Sequence, residues 1–152
     1  MVNRLAAPIL AGFRVGPKPP RQWLRQTLPD NCSQTVLSML TGKDLAEITR
    51  LAGRPGALGI SHACRVLEAS GVHCGRPLAA QHAAEFWPVY WRRAGGRRLR
   101  GLGFRVARQG EDHGHAWLLF GNRLYDPADG EFRTLDPDAI RQLDWVVLCT
   151  SA

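Results

Sequence analysis

The residue best placed to do chemistry is Cys32, which stands where a short helix is expected to begin. The preceding Pro-Asp-Asn, residues 29–31, is typical of a turn and an N-cap, and Gly42 supplies a stop for the helix. In the first turn of a helix, free backbone N–H groups and the positive end of the dipole favour a thiolate over a thiol. The pattern therefore indicates a nucleophilic cysteine, against the general tendency of cysteine to be buried, inert packing.

A histidine and an aspartate that could serve this thiol lie in the second half of the chain. Residues 115–126 predict two short strands around a Gly-Asn turn. With a two-residue turn, Trp117 lies opposite Asp126, and the alternation of side chains puts His115 on the same face as both. Asp126 is then a diagonal neighbour of His115, within about 8 Å between Cα atoms. A carboxylate there can orient the imidazole and support its positive charge, as a Cys-His-Asp triad requires.

Other groups compete for the roles of base and orienting carboxylate. The competing histidines are His113, in the loop before the strand, and His62 and His73, in scaffold elements. The competing carboxylates are Asp112, Asp129 and Asp136. Only Asp126 is supported by strand register, and that support depends on turn length, because a three-residue loop would move Asp126 to the opposite face.

Length and composition indicate a domain with a substantial core, since the chain has 152 residues and 45% hydrophobic content. No apolar run approaches the roughly 20 residues of a membrane span, and residues 5–13 are short for a secretory signal. The cysteines show neither a CxxC pair nor metal-ligand spacing, so we expect no metal or other cofactor. A Cys64–Cys74 bridge stays open. We expect cytoplasmic synthesis without a signal peptide, with secretion or delivery as an effector as the alternative.

Positive charge is concentrated in one stretch. The formal net charge is +7, and residues 91–108 carry seven arginines and no acidic residue. Such a stretch attracts an anionic partner: an acidic protein surface, a membrane headgroup layer, or nucleic acid, which is possible but not favoured. The alternative is a solvated loop whose arginines confer solubility. The candidate binding residues are Arg92, Arg93, Arg97, Arg98 and Arg100.

The elements that must position these residues predict an α+β domain, with helices first and an antiparallel sheet after them. Residues 1–21, rich in Pro and Gly, predict an extended arm, and residues 22–152 the folded domain. The predicted helices are 32–41, 45–52 capped by Asp44, 62–70 capped by Ser61, 78–87, and 137–143 opened by Asp136. The predicted strands are 72–74, 102–106, the two strands of the hairpin, and 145–149.

The spaced motifs resemble those of the papain-like cysteine peptidase superfamily, nearest the bacterial double-glycine, bacteriocin-processing branch. Gln26 stands six positions before Cys32, Gly114-His115 opens a strand, and Asp126-Pro127 ends the next. The resemblance implies a papain-like fold in which Cys32 is the nucleophile, His115 the base and then acid, Asp126 the orienter, and Gln26 a donor to the oxyanion. Ser33 departs from the glycine common in that branch, and the arginine stretch has no counterpart there.

The resemblance implies an enzyme that acts on amide bonds through a thioester, with a protein or peptide as substrate. A peptidase is the first reading; a glutamine deamidase or transglutaminase of the kind found among bacterial papain-like toxins and effectors is the second. A peptidoglycan amidase or endopeptidase is a third. The non-enzymatic rival is a catalytically idle papain-like module that binds an anionic partner through its arginines.

Overall fold

The computed structural model describes residues 22–85 and 100–151. The predicted arm, residues 1–21, lies outside the described residues, as do Arg92, Arg93, Arg97 and Arg98 of the arginine stretch. Within them, the order of elements is the expected one, with helices first and most of the strands later. The helices are α1 (Cys32–Thr41), α2 (Leu45–Ala52), α3 (Ile60–Ala69) and α4 (Pro137–Arg141), with residues 80–85 also helical. The strands are β1 (Val72–Cys74), β2 (Leu78–Ala79), β3 (Arg100–Arg105), β4 (His115–Phe120), β5 (Arg123–Asp126), β6 (Glu131–Thr134) and β7 (Trp145–Ser151).

The strands form one antiparallel sheet in the order β1-β7-β3-β4-β5-β6, with β2 also paired to β7. The hairpin β4–β5 has the predicted register, because Phe120 pairs with Arg123 and Leu118 with Tyr125 around the turn at residues 121–122. Gly121 in this turn has a φ of 61°, which a side chain would disfavour. The predicted two-residue turn is therefore confirmed, and with it the parity on which the position of Asp126 depends.

Two apolar cores lie on opposite faces of the sheet. The first core lies between the sheet and α1, α2 and α3, and it includes Ala116, Leu118 and Tyr125. The second lies on the other face, where it joins Trp117 and Leu119 to residues 80–84 and to α4. Alternate residues of β4 thus enter different cores. The helix α1 is the most enclosed helix described, since all its residues from Cys32 to Leu40 are buried.

The starts of α2 and α4 follow the local sequence rules, but the start of α3 does not. Asp44 Oδ1 accepts the N–H of Glu47 at 2.8 Å, and Asp136 Oδ1 accepts the N–H of Ala139 at 2.8 Å, so both predicted caps are confirmed. The helix α3 begins at Ile60 and not at His62, and Gly59 occupies its N-cap with extended backbone. The predicted Ser61 cap is therefore wrong.

Two strands differ from the sequence expectation. Residues 78–87 were expected to be one helix, but Leu78 and Ala79 pair with Val146 and Trp145, and the helix starts at residue 80. Burial of Leu78 in the second core favours this pairing over a first helical turn. The strand β6 was not expected at all, because its four residues are all exposed and show no hydrophobic alternation. It is held by its backbone pairing with β5.

The backbones of β3 and β7 approach closely at Gly101. A Cβ at this position would overlap the backbone carbonyl oxygen of Val147, whereas a Cβ at Gly103 would meet the end of the Leu143 side chain at 2.7 Å. A backbone atom in a central strand cannot move aside, but a leucine methyl can. We therefore expect Gly101→Ala to lower the free energy of unfolding by about 2–4 kcal/mol, and Gly103→Ala by markedly less. Urea denaturation followed by circular dichroism measures both, and equal losses would contradict this account.

Candidate active site

Cys32 is the first residue of α1 and is only 1% exposed. Asn31 is the N-cap residue, but its side chain does not cap the helix. Its Oδ1 accepts the N–H of Leu28 at 3.0 Å and its Nδ2 donates to Thr27 Oγ1 at 2.8 Å. Asn31 therefore closes the turn before the helix, and this turn fixes the position of Cys32 at the helix start. As the first helical residue, Cys32 has a backbone N–H with no intrahelical acceptor.

His115 and Asp126 are joined by a short hydrogen bond. Their Nε2 and Oδ1 atoms are 2.7 Å apart, and the two side chains are 15% and 11% exposed. The same Oδ1 accepts the backbone N–H of Ala128 at 2.9 Å, which holds the carboxylate from a second side. Because Nε2 is taken by Asp126, the nitrogen of His115 left for another partner is Nδ1.

Cys32 and His115 lie close enough to change each other's titration. Burial raises the pKa of the Cys32 thiol, but the hydrogen bond and the charge of His115 lower it, with help from the Ala116 N–H and the Ser33 hydroxyl, and the net pKa is lowered. The structure thus brings His115 from β4 to the start of α1, across 83 residues of sequence. The pair favours a thiolate beside an imidazolium.

The opposite shift occurs on His115. Burial lowers the pKa of the imidazole, but the hydrogen bond to Asp126 and the interaction with Cys32 outweigh it and raise the pKa to about 9. Burial likewise raises the pKa of Asp126, and the hydrogen bonds from His115 and Ala128 reverse that effect, so its pKa is lowered. A thiol with a lowered pKa beside an imidazole with a raised pKa favours the ion pair that a nucleophilic cysteine requires.

Trp117 flanks His115 and Asp126 on the face predicted from the strand register, although no role was predicted for it. Its ring stands edge-on to that of His115, with centroids 4.3 Å apart and planes at 89°. The indole is 9% exposed and belongs to the second core. Trp117 therefore limits the rotation of the imidazole and excludes water from one side of the His115–Asp126 bond.

The side chain of Gln26 is turned toward its own loop. Its Nε2 donates to the carbonyls of Leu28 and Pro29 at 2.9 and 3.1 Å, and its Oε1 is buried without a hydrogen-bond partner. Its backbone N–H binds the carbonyl of Pro127 at 2.8 Å, next to Asp126. Gln26 thus lies between the cysteine turn and the end of β5. To serve as the predicted oxyanion donor, its amide must exchange one of these carbonyls for the substrate oxygen.

Four of the six competing groups, His113, His73, Asp129 and Asp136, have other partners. His113 Nε2 lies 2.9 Å from the carbonyl of Pro29, so His113 ties its loop to the cysteine turn. His73 pairs with Glu68 at 3.2 Å on the surface. Asp136 caps α4, and Asp129 accepts from the N–H of Glu131 and from Arg133. None of these contacts involves Cys32 or His115.

The arginines of the basic stretch that fall within the described residues have contacts of their own. Arg100 is partly buried and its Nη1 donates to the carbonyl of Leu40 at 3.3 Å. Arg105 binds both carboxylate oxygens of Glu111, at 2.6 and 3.0 Å, and Arg108 lies 3.5 Å from Asp144. These contacts support strand and loop structure. A role of the stretch in binding an anionic partner stays a prediction.

The described ranges, 22–85 and 100–151, contain no cluster of three or more His, Cys, Asp or Glu residues arranged to hold a metal ion. No helix there is long and apolar enough to span a bilayer.

Comparison with known proteins identifies the fold. No protein-family model matches the chain, and no curated protein matches it. A solved structure that does match is the crystal structure of a double glycine motif protease from an AMS/PCAT transporter, in complex with the leader peptide. The TM-score is 0.59 at 12% sequence identity, and the match covers 92% of this chain and 96% of that one. The chain therefore has the fold of a papain-like peptidase.

The pairing of Cys32 with His115 predicts an unusual pH dependence of thiol reactivity. In the wild type, iodoacetamide should alkylate Cys32 well below pH 8.5, near which a free cysteine titrates. In His115→Ala this low-pH reactivity should be lost, because the hydrogen bond and the charge that lower the pKa of Cys32 most are gone, while burial still raises it. The rate is measured against pH with the labelled site identified by mass spectrometry. His73→Ala is the control; the same profile in wild type and His115→Ala would show that the two residues are not coupled.

Proposed function

We propose that this protein is a cysteine-dependent amide hydrolase, in the first place a peptidase, that cleaves its substrate through a thioester on Cys32. The observation that carries the proposal is the hydrogen-bonded series from Cys32 to His115 and from His115 to Asp126, which lowers the pKa of the thiol and raises that of the imidazole. The peptidase fold is consistent with it. Cys32, His115, Asp126 and Gln26 are the proposed catalytic residues.

In the first half-reaction, the Cys32 thiolate attacks the carbonyl carbon of the scissile amide. A tetrahedral intermediate forms, and its collapse breaks the C–N bond. The leaving nitrogen needs a proton, which the imidazolium of His115 donates from Nδ1, the nitrogen that does not bind Asp126. The acyl group stays on the sulfur as a thioester, and the amine leaves.

In the second half-reaction, neutral His115 takes a proton from water, and the resulting hydroxide attacks the thioester. The C–S bond breaks, the acid product leaves, and the thiolate–imidazolium pair is restored. An amine in place of water would give transamidation, so the same residues could support the transglutaminase reading. Nothing in the site favours that reading over hydrolysis.

Two donors are suited to the oxyanion of each intermediate. The N–H of Cys32 is free of an intrahelical acceptor and points out of the start of α1. The amide of Gln26 would be the second donor, after it releases the carbonyl of Leu28 or Pro29. Since donors aimed at a developing charge contribute about 10²–10³ in rate, Gln26 should matter for the rate more than for binding.

The proposed substrate is a peptide or protein segment, and the groove beside α1 is its proposed site. A cavity of about 500 Å³ opens there. It extends from Thr27, in the turn before Cys32, past Thr35 and Met39 to Leu45 at the start of α2. The neighbour described above was crystallised with a leader peptide. By analogy, a segment of substrate outside the scissile bond would occupy this groove.

Substitutions of the proposed catalytic residues should separate their roles. Cys32→Ala should abolish hydrolysis, and Gln26→Ala should lower kcat by about 10²-fold with little change in KM. Activity is measured by mass spectrometry on a peptide library and then on the best peptide. Substrate turnover by Cys32→Ala would overturn the mechanism. If the wild type cleaves nothing but binds an acidic protein in a salt-dependent way, the idle binding module is the correct reading.

The pH–rate profile should be bell-shaped. The rate should rise on the acid side as Cys32 becomes a thiolate and fall as the pH passes about 9, where His115 loses its proton. In Asp126→Asn the falling limb should move to lower pH, because the carboxylate is one of the groups that raise the pKa of His115. The measurement is kcat/KM against pH, with His73→Gln as a control. An unmoved limb in Asp126→Asn would contradict the assignment.

The groove can be tested independently of the triad. Leu45→Lys places a charge in the apolar part of the cavity and should raise KM severalfold while kcat stays within about twofold, because Leu45 does not contact the triad. A matched control is Ala46→Lys, an exposed neighbour on the same helix. Equal KM values for the two variants would show that substrate does not use this groove.

A further inference from the structure

Three of the four cysteines form a second group of thiols, separate from Cys32. Cys64 lies on α3, Cys74 on β1 and Cys149 on β7. Cys74 is the central member, since its sulfur lies 3.9 Å from the carbonyl of Cys64 and its thiol interacts with the thiols of both neighbours. All three are free thiols. Nothing in the proposed reaction uses them.

The register of the sheet decides which two of them suit a disulfide. Cys74 and Cys149 are directly opposite each other in the antiparallel pair β1–β7. The next pair along is hydrogen-bonded, since the N–H of Gly75 donates to the carbonyl of Leu148 at 2.7 Å. Bonded and non-bonded pairs alternate, so Cys74 and Cys149 form a non-hydrogen-bonded pair. This agrees with the N–H of Cys74, which points away from β7 to Glu68 Oε1 at 2.9 Å.

A non-hydrogen-bonded pair brings its side chains closest. Its Cα atoms are about 4.5 Å apart, which lies at the short end of the range of about 4.4–6.8 Å seen for disulfides. A disulfide can therefore form without separating the strands. Because the geometry is near the limit of that range, the bond should be strained, and strained disulfides are the reducible ones.

We propose that Cys74 and Cys149 are a reversible redox pair, which an external low-molecular-weight disulfide converts into a cross-strand disulfide between β1 and β7. Cys74 is partly exposed and Cys149 is 1% exposed, so Cys74 is the residue that meets the oxidant. Cys149 is the resolving thiol. The pair is independent of Cys32 and of the proposed hydrolysis.

The exchange takes two steps. The Cys74 thiolate attacks one sulfur of the external disulfide, whose S–S bond breaks, and one external thiolate leaves. The Cys149 thiolate then attacks the Cys74 sulfur of the mixed disulfide, and the second external thiolate leaves. The two cysteines together lose two protons and two electrons, and the external disulfide is reduced to two thiols.

The environment makes the pair slow to oxidise. The neighbouring Cys149 raises the pKa of the Cys74 thiol, Cys64 opposes this in part, burial adds to it, and the pKa is raised to about 12. Since the thiolate is the attacking form, exchange should be slow at neutral pH and faster as the pH rises. Cys32, with its lowered pKa, should react first with any oxidant, so a test of the pair must remove it.

The test uses the full chain carrying Cys32→Ser, treated at pH 8.5 with glutathione disulfide. Intact mass should show the loss of two hydrogens, and non-reducing peptide mapping should identify a Cys74–Cys149 link. Additional Cys64→Ser should leave the link intact. Additional Cys149→Ala should give a glutathione adduct on Cys74 instead. If Cys149→Ala does not fold, Cys74→Ser serves, and it should show neither a link nor an adduct on the buried Cys149.

The oxidised form should also differ in stability and reversibility. A link that joins the edge strand β1 to β7 closes a long loop of the unfolded chain, so the thermal midpoint should rise by several degrees. Excess reduced glutathione should reopen the link and restore the original midpoint. A Cys64–Cys74 link, adducts without any link, or a link that reduced glutathione does not reopen would each overturn the proposal.

Discussion

The hydrogen bond between His115 and Asp126 is the interaction on which the electrostatics of the site depend. Burial alone would neutralise all three candidate groups, because it raises the pKa values of Cys32 and Asp126 and lowers that of His115. Each group has a charged neighbour that favours its charged form, and the N–H groups of Ala116 and Ala128 add to this effect on Cys32 and Asp126. The carboxylate supports the imidazolium, the imidazolium supports the thiolate, and the loss of any member leaves the others with the cost of burial.

This chain of charges needs rigid supports, and the fold supplies one for each member. Asp126 is fixed by β5 and by the N–H of Ala128. His115 begins β4 and is bounded by the edge of Trp117. Cys32 is held by a helix that is buried from Cys32 to Leu40 and by the turn that Asn31 closes. The two apolar cores on opposite faces of the sheet therefore act together, since one positions the cysteine helix and the other the tryptophan.

The parts of this arrangement that follow local rules could be predicted from the sequence. A Gly-Asn turn sets the register of a hairpin, and register sets the face on which Asp126 lies, so the histidine–aspartate neighbourhood was predictable. The approach of Cys32 to His115 depends on how three helices pack on a sheet, and no local pattern specifies that packing. It was expected only from the resemblance. The exposed strand β6 and the short β2 were missed because their pairing comes from neighbouring strands rather than from their own sequences.

The low sequence identity to the structural neighbour is expected if many sequences can form this fold and only a few positions are restricted. A papain-like fold needs apolar positions on the sheet faces and a helix start opposite a hairpin, and many sequences satisfy those requirements. The candidate site is stricter, because it requires particular atoms within hydrogen-bond distance. In this chain it depends on few residues, and Ser33 is next to one of them. Its hydroxyl lies 3.5 Å from the backbone of Leu58 and lowers the pKa of Cys32. Ser33 differs from the glycine of the proteins that the sequence motifs resemble, and it still favours the thiolate of Cys32.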